Sequence, residues 1–363
     1  MIGTTNSISD AHLARRQALR ANLAGRQDID ALLVTYAANR FYLSGFELFD
    51  SQCNESSGCL IIHADGREWL LTDSRYELEA QRVWSPDSVY IYRTRTKAEI
   101  ARFVAAQGVK RLGIEADSLC VEMYEALRAE CEVVLVTGLV EAIRVRKDEY
   151  EIRALRAACD LNHKVMAQAE ALMVPGMSEF ELAWAVERLY REQGAQRLSF
   201  STIAAVGPNG AKPHAIPGDA AITDGCPVLL DMGCRLNNYC SDQTRTFWVG
   251  DRPDPRFLET RARVLEAQAE ALKQYGPGLS LAEAFQTARA VFDRYGVAEH
   301  FTHSLGHGIG LETHEAPSVG PNSKGTFEPG MVVTCEPGLY YPEWGGVRWE
   351  YMALITETGV EVF

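Results

Sequence analysis

Four carboxylates spaced as two matched pairs are the residues of this chain best placed to do chemistry. Gly225-x5-Asp231-x-Gly233 recurs as Gly330-x5-Glu336-x-Gly338, and a second acid follows each, Asp242 and then Glu350. The run Val228-Leu229-Leu230 and the run Thr244–Val249 read as two strands of a hairpin around Arg235–Asn238. Centring that hairpin between Leu236 and Asn237 sets Asp231 opposite Asp242. Glu336 and Glu350 are symmetric about Glu343 in the same manner. Like charges directly opposite on a sheet repel, at roughly 4 kcal/mol per contact for about 4 Å and an effective dielectric near 20. Converging carboxylates therefore need protons or cations, and at neutral pH metal is the better answer. Four of the eight histidines, His300, His303, His307 and His314, fall within fifteen residues in a glycine-rich run. One imidazole with four carboxylates carries a formal charge that balances two divalent ions. Oxygen-rich ligation with one nitrogen suits Mn(II), with Co(II) or Zn(II) also able to bind. Two such ions about 3.5–4 Å apart are a known arrangement for aminopeptidase hydrolysis.

The elements that position these groups are also written twice. Pro175-Gly176-Met177-Ser178 recurs as Pro277-Gly278-Leu279-Ser280, and His214-x-x-Pro217 recurs as His314-x-x-Pro317. Ser178-x-x-Glu181 and Ser280-x-x-Glu283 both read as capping boxes opening a helix. Phe180, Ala183, Trp184 and 186–189 give the first helix its apolar face. Leu281, Ala284, Phe285, Ala288, Val291 and Phe292 do so for the second. Gly194 and Gly296 close them as left-handed caps. A duplication of this kind predicts packing about a pseudo-two-fold axis, with each metal drawing ligands from both halves. Cys234 and Cys335 are each an odd number of positions from the neighbouring acid, so a strand turns their thiols to the other face.

The ordered motifs of residues 143–363 resemble the pita-bread metallopeptidases, specifically the branch of prolidase and aminopeptidase P. They run Pro213-His214, Asp231-Met232-Gly233, Cys240-Ser241-Asp242-Gln243-Thr244-Arg245-Thr246-Phe247, His303 through Pro317, Glu336-Pro337-Gly338 and Gly346-Val347-Arg348-Trp349-Glu350. The resemblance implies Asp231, Asp242, His307, Glu336 and Glu350 as metal ligands, with Asp242 and Glu350 bridging. It implies His214, His303, His314, Glu336 and Arg348 as the catalytic and supporting set. Trp349 and Tyr351 depart from the family, which has an aliphatic residue at the first position and an acid or amide at the second. His12, His63 and His163 are read as ordinary histidines, and His300 is unassigned. Thr244 and Arg245 are read as bracing the hairpin.

Residues 1–142 form a separate α/β domain in this reading. Strands are expected at 30–35, 58–63, 68–72, 89–92 and 112–114, with helices near 97–107 and 121–131. Asn39–Phe46 and Asp73–Tyr76 resemble the creatinase-like N-terminal domain. The pita-bread domain, of α+β type, follows at 143–363, its long first helix starting from Asp148. A hydrophobic fraction of 47% without an apolar run of membrane-spanning length points away from a membrane protein. A net charge of −13 disfavours nucleic-acid and anionic-membrane partners. Nine cysteines without paired spacing and no signal pattern in Met1–Asn6 fit a cytoplasmic protein. The expected function is hydrolysis of Xaa-Pro bonds at peptide N-termini by a homodimer carrying two divalent ions. A metal-independent creatinase-type amidinohydrolase and a non-catalytic binding module are the alternative readings, and the complete ligand set argues against both.

Overall fold

In a computed structural model of the chain, residues 5–50, 52, 55–94 and 96–363 are described, so Met1–Thr4 of the leading segment lies outside them. The chain divides into two compact units, Met1–Arg144 and Val145–Phe363. No helix of the described residues is long and apolar enough to cross a membrane.

The first unit is built on a six-stranded mixed sheet. Its spatial order is Val89–Tyr92, Glu68–Asp73, Cys59–His63, Ala31–Val34, Arg111–Glu115, Glu132–Val136. Ala31–Val34 is wholly buried and sits centrally, antiparallel to Cys59–His63 and parallel to Arg111–Glu115. Its continuous apolar run is what a strand covered on both faces requires. The sequence pattern does not single out the edge strand Glu132–Val136, four of whose five residues stand half-buried or more open at the sheet's margin.

The second unit opens with helix Glu149–Leu172, where Asp148 and Glu151 form a reciprocal capping box. Helices Glu179–Glu192 and Leu281–Arg294 follow at the two repeated stretches. The Pro-Gly turns ahead of them dock alike, for the Gly176 amide donates to Ile222 O at 2.8 Å and the Gly278 amide to Phe327 O at 2.9 Å. Gly194 and Gly296 follow the helices with φ of 93° and 67°. The first helix packs with Glu149–Leu172 against strands Ile203–Val206 and Cys226–Met232. The second packs with helix Pro255–Gln274 against strands Val332–Cys335 and Tyr351–Ile355.

Two expectations for these helices need correction. Ser178 and Glu181 make their capping box, but Ser280 caps its helix without a side-chain hydrogen bond. In the first helix Phe180 and Trp184 are 62% and 61% exposed, whereas Glu179 is buried. The carboxylate of Glu179 accepts from the Val206 amide at 2.7 Å, the Gly218 amide at 3.0 Å and Asn209 Nδ2 at 2.9 Å. Three donors offset its desolvation, so the buried stripe begins one residue earlier than the hydrophobic pattern implies. The second helix buries all six of its expected face.

The register of the first hairpin also differs. Arg235 pairs with Cys240, Leu236 with Tyr239 and Asp231 with Thr244, so the turn centre lies between Asn237 and Asn238. Both asparagines have positive φ, 53° and 70°, as a two-residue hairpin turn of the primed type demands. The shift moves the pairing by two positions, an even number, so Asp231 and Asp242 still share a face, now as diagonal rather than direct neighbours. In the second hairpin Cys335 pairs with Tyr351 and Gly338 with Arg348, which sets Glu336 opposite Glu350 as expected. Replacing Asn238 with Val is expected to cost about 1–2 kcal/mol, the left-handed penalty of a branched residue, while Asn238→Gly holds stability near that of the parent. Urea denaturation of both variants checks this, and equal midpoints would contradict the turn geometry.

Candidate metal centre

Each acid of the candidate centre sits on a strand or at its end. Asp231 is the penultimate residue of Cys226–Met232, and Asp242 immediately precedes Gln243–Val249. Glu336 directly follows Val332–Cys335, and Glu350 directly precedes Tyr351–Ile355. His307 is the middle of the short strand Gly306–Gly308. A Cβ on Gly306 would lie 2.1 Å from Thr334 O, and one on Gly308 would lie 2.2 Å from Ala316 O. Only glycines at both flanks let this strand slide between its neighbours and deliver the imidazole.

Asp242, His307 and Glu350 present donor atoms within 4.8 Å of one another. Nε2 of His307 lies 3.3 Å from Glu336 Oε1 and 3.7 Å from Asp242 Oδ2. Nδ1 of the same ring donates to Gly308 O at 3.1 Å, so Nε2 is the nitrogen turned to the carboxylates, a donor to them while the ring is protonated and a lone pair once it is neutral. Asp231 is turned toward Arg348, whose Nη2 donates to Oδ2 at 2.7 Å. Thr244 Oγ1 donates to Glu350 Oε2 at 2.7 Å, and Thr334 Oγ1 to Glu336 Oε1 at 3.0 Å. Oδ1 of Asp231 and Oε1 of Glu350 are buried with no hydrogen-bond partner.

The electrostatics follow from that crowding. Burial, then the negative charges of Glu350, Asp231 and Glu336, hold Asp242 well above the usual carboxylate range. Burial, then Glu336 and Asp231, does the same to Glu350. Burial also raises Asp231, although Arg348 opposes it. Burial opposes the charged form of His307, but its hydrogen bond to Glu336 and the surrounding acids bring it to about 9. Burial opposes ionisation of Glu336 too, yet His307 brings it down to about 2. Three reluctant acids and two orphaned oxygens around one available imidazole nitrogen are what hard divalent cations would satisfy. The residues present fit such ions.

All nine expected site residues line one cavity of about 660 Å³, together with the apolar Phe200, Ile203, Ala215 and Ile216. His214 is exposed at its rim. His314 stacks edge-on to His307 with centroids 4.3 Å apart, and burial, then the charge of His307, lowers it. His303 is held at both nitrogens. Nδ1 donates to Ser304 O at 2.7 Å, leaving Nε2 to accept from Tyr340 OH at 2.8 Å. The same hydroxyl accepts from Arg348 Nη1 at 2.8 Å. Cys234 and Cys335 are fully buried in the two cores, as their strand parity implies.

Sequence reasoning missed Tyr340 and Gln268. Tyr340 lies two residues beyond the Glu336-Pro337-Gly338 turn, and an aromatic there signals only packing. Gln268, on helix Pro255–Gln274, is buried and its Nε2 donates to Cys335 O at 2.9 Å and Trp349 O at 2.7 Å. Those two carbonyls immediately precede Glu336 and Glu350. A lone Gln on an apolar helix face carries no sequence signal for that task. Glu315 also lines the cavity and is paired with the buried Lys147 at 3.0 Å.

The comparisons with known proteins agree on a family. A model described as metallopeptidase family M24 matches residues 153–357, and one described as a creatinase/prolidase N-terminal domain matches residues 15–146. The chain is 34% identical to a Xaa-Pro dipeptidase of Pyrococcus horikoshii over 337 residues, covering 92% of each. Its structure resembles a Xaa-Pro dipeptidase from Bacillus anthracis with TM-score 0.89 and 34% identity, over 97% of each chain. It also resembles an X-Pro aminopeptidase from Thermotoga maritima with TM-score 0.84 and 29% identity, over 94% of this chain and 96% of that one.

The pH behaviour of the metal-free chain follows from the shifts. Asp231, Asp242, Glu350 and His307 all bind protons more tightly when folded. Each contributes stability that is full below its unfolded pKa and lost as pH rises through the folded one. Glu336 acts oppositely, its contribution lost only as pH falls toward about 2. Thermal melts in chelator are expected to peak in mild acid and fall progressively toward pH 9, with added divalent metal restoring stability at the alkaline end. A metal-free melting temperature that rises between pH 6 and pH 9 would contradict the convergence.

Proposed function

Because this chain belongs to metallopeptidase family M24, we propose that it hydrolyses Xaa-Pro bonds at the N-termini of short peptides. Its proposed cofactor is a pair of divalent cations, which Asp231, Asp242, His307, Glu336 and Glu350 would hold, Asp242 and Glu350 being the residues that would serve both. Manganese is the preferred ion, given four carboxylates and one imidazole. The observation that carries the reading is the joint presence of all five donors and two unpartnered buried carboxylate oxygens in one cavity. The Xaa-Pro specificity rests on the names of the relatives that resemble this chain across both matched domains. An amidinohydrolase or an inert binding module has no such support. A homodimer in a reducing compartment such as the cytoplasm completes the proposal, and the eight described cysteines are free thiols.

The cations, when bound, supply Lewis acidity that activates water near neutral pH and polarises the scissile carbonyl. The chain's own residues do the rest. Glu336, kept ionised by His307, accepts the proton of the attacking water and passes it to the proline ring nitrogen as the bond breaks. A tertiary amide has no N–H, so departure of the ring nitrogen requires that proton. His314, kept neutral by its surroundings, and His214, both exposed at the cavity, offer N–H donors to the carbonyl oxygen as it gains negative charge. Phe200, Ile203, Ala215 and Ile216 give apolar walls for a pyrrolidine ring. Arg348 holds Asp231, and Tyr340 fixes the tautomer of His303 beside it.

His307→Ala is expected to lose one bound cation and to lower turnover more than about a hundredfold, the upper range for even an outer partner of a ligand. Metal analysis and circular dichroism on the same sample check that the fold survives, and parental turnover would overturn the ligand assignment. Hydrolysis of a panel of Xaa-Pro dipeptides, Xaa-Pro-Xaa tripeptides and Xaa-Ala controls tests the substrate class. Preference for the Xaa-Ala controls would overturn it.

A further inference from the structure

Arg245 is a buried cation whose charge no ion pair among the described residues answers. Its strand Gln243–Val249 turns Thr244 toward the carboxylates, so Arg245 points to the opposite face. Only 7% of it is exposed, and among the described residues no carboxylate lies within ion-pair distance of it. Its guanidinium lies instead over two aromatic rings, 4.6 Å from the centroid of Trp349 and 4.3 Å from that of Tyr351, whose hydroxyl also interacts with it. Nη1 donates to Thr244 O at 2.8 Å and also to Glu350 O. Trp349 and Tyr351 are the two residues flanking Glu350, and neither lines the cavity.

The arrangement solves a local problem. Between the pairs Cys335–Tyr351 and Gly338–Arg348 the ladder is interrupted, and Pro337 has no N–H to offer across the gap. Glu350 is thus held on its amide side by Thr244 O, at 3.1 Å, and on its carbonyl side by Arg245. A planar guanidinium stacked on two rings is pre-organised for that carbonyl, and aromatic faces partly replace the water it has lost. Lysine has neither the plane nor the fork.

We infer that Trp349 and Tyr351 clamp Arg245 so that its guanidinium fixes the backbone of Glu350, making Arg245 a positioning residue for the proposed metal centre. The inference rests on the reading of Glu350 as a cation ligand. It assigns the two aromatic residues a role behind the site rather than in the substrate pocket.

Calorimetric titration of the chelator-stripped full chain with Mn(II) tests it, alongside steady-state kinetics on an Xaa-Pro dipeptide. Arg245→Lys is expected to weaken binding of at least one ion by about tenfold or more, as loss of an outer partner does, and to lower kcat while leaving KM nearly unchanged. Tyr351→Leu combined with Trp349→Leu should have the same effect, and adding Arg245→Lys to that pair should change little further, because all three act through one guanidinium. Tyr351→Phe keeps the ring and removes only the hydroxyl that also interacts with the guanidinium, so it should weaken ion binding far less than the double leucine variant does. Additive losses, or parental ion affinity in the double leucine variant, would overturn the clamp alone. Absence of Mn(II) binding by the parent chain would overturn the cation reading itself and the clamp with it.

Discussion

Four carboxylates driven into one buried place are the constraint around which the catalytic unit is organised. Each alone costs several kcal/mol to desolvate, and together they repel. Among the described residues, only His307 and Arg348 are paired with these acids as positive charges, so the metal-free site is under-compensated. The pKa directions express this as protons retained on Asp231, Asp242 and Glu350. A folded chain keeps such a cluster only if something outside it gains from the arrangement, and divalent cations are the partners whose charge and hardness match.

Given that cluster, much of the surrounding architecture reads as support. Thr244 and Thr334 each spend a hydroxyl on a carboxylate. Gly306 and Gly308 thin the central strand so that one imidazole reaches the acids. At Glu336 and Glu350 the sheet ladder opens, freeing both side chains to turn inward. The carbonyls left around that opening are taken by Gln268 and Arg245. The site therefore depends on side chains that never reach the cavity.

How much of this was legible in the sequence depended on whether the deciding interaction was local. The acids, the histidine run and the parity of Cys234 and Cys335 follow from spacing alone. The helices at the two repeated stretches were legible too, with two failures: Ser280 makes no side-chain cap, and the buried face of the first helix was misjudged. The first copy places Glu179 where the second has Leu281, and only the distant amides of Val206 and Gly218 make a carboxylate acceptable there. The hairpin centre was misplaced because an Asn-Asn turn competes with its neighbours on propensity alone, and the left-handed geometry at both asparagines decides it. Because side chains alternate with period two, that error left the shared face of Asp231 and Asp242 intact. Tyr340, Gln268 and the Arg245 clamp were invisible for a different reason. Their partners are backbone carbonyls, rings or, for Tyr340, the Arg348 guanidinium, brought close only by the tertiary fold.

Arg348 shows that stability and site cannot be separated here. By sequence it belongs to the second repeat, two residues before Glu350. Its guanidinium, however, reaches Asp231 and Thr244 of the first repeat, as well as Tyr340 and the carbonyl of Pro213. Thr244 answers in the other direction, its hydroxyl on Glu350 and its carbonyl on the Glu350 amide. The seam joining the two repeats is thus made of the same hydrogen bonds that orient the acids. A cation drawn to that seam would bind donors from both repeats at once, so occupancy and docking of the halves stabilise each other. A site built on one repeat alone would lack both the counter-charge and the second pair of acids.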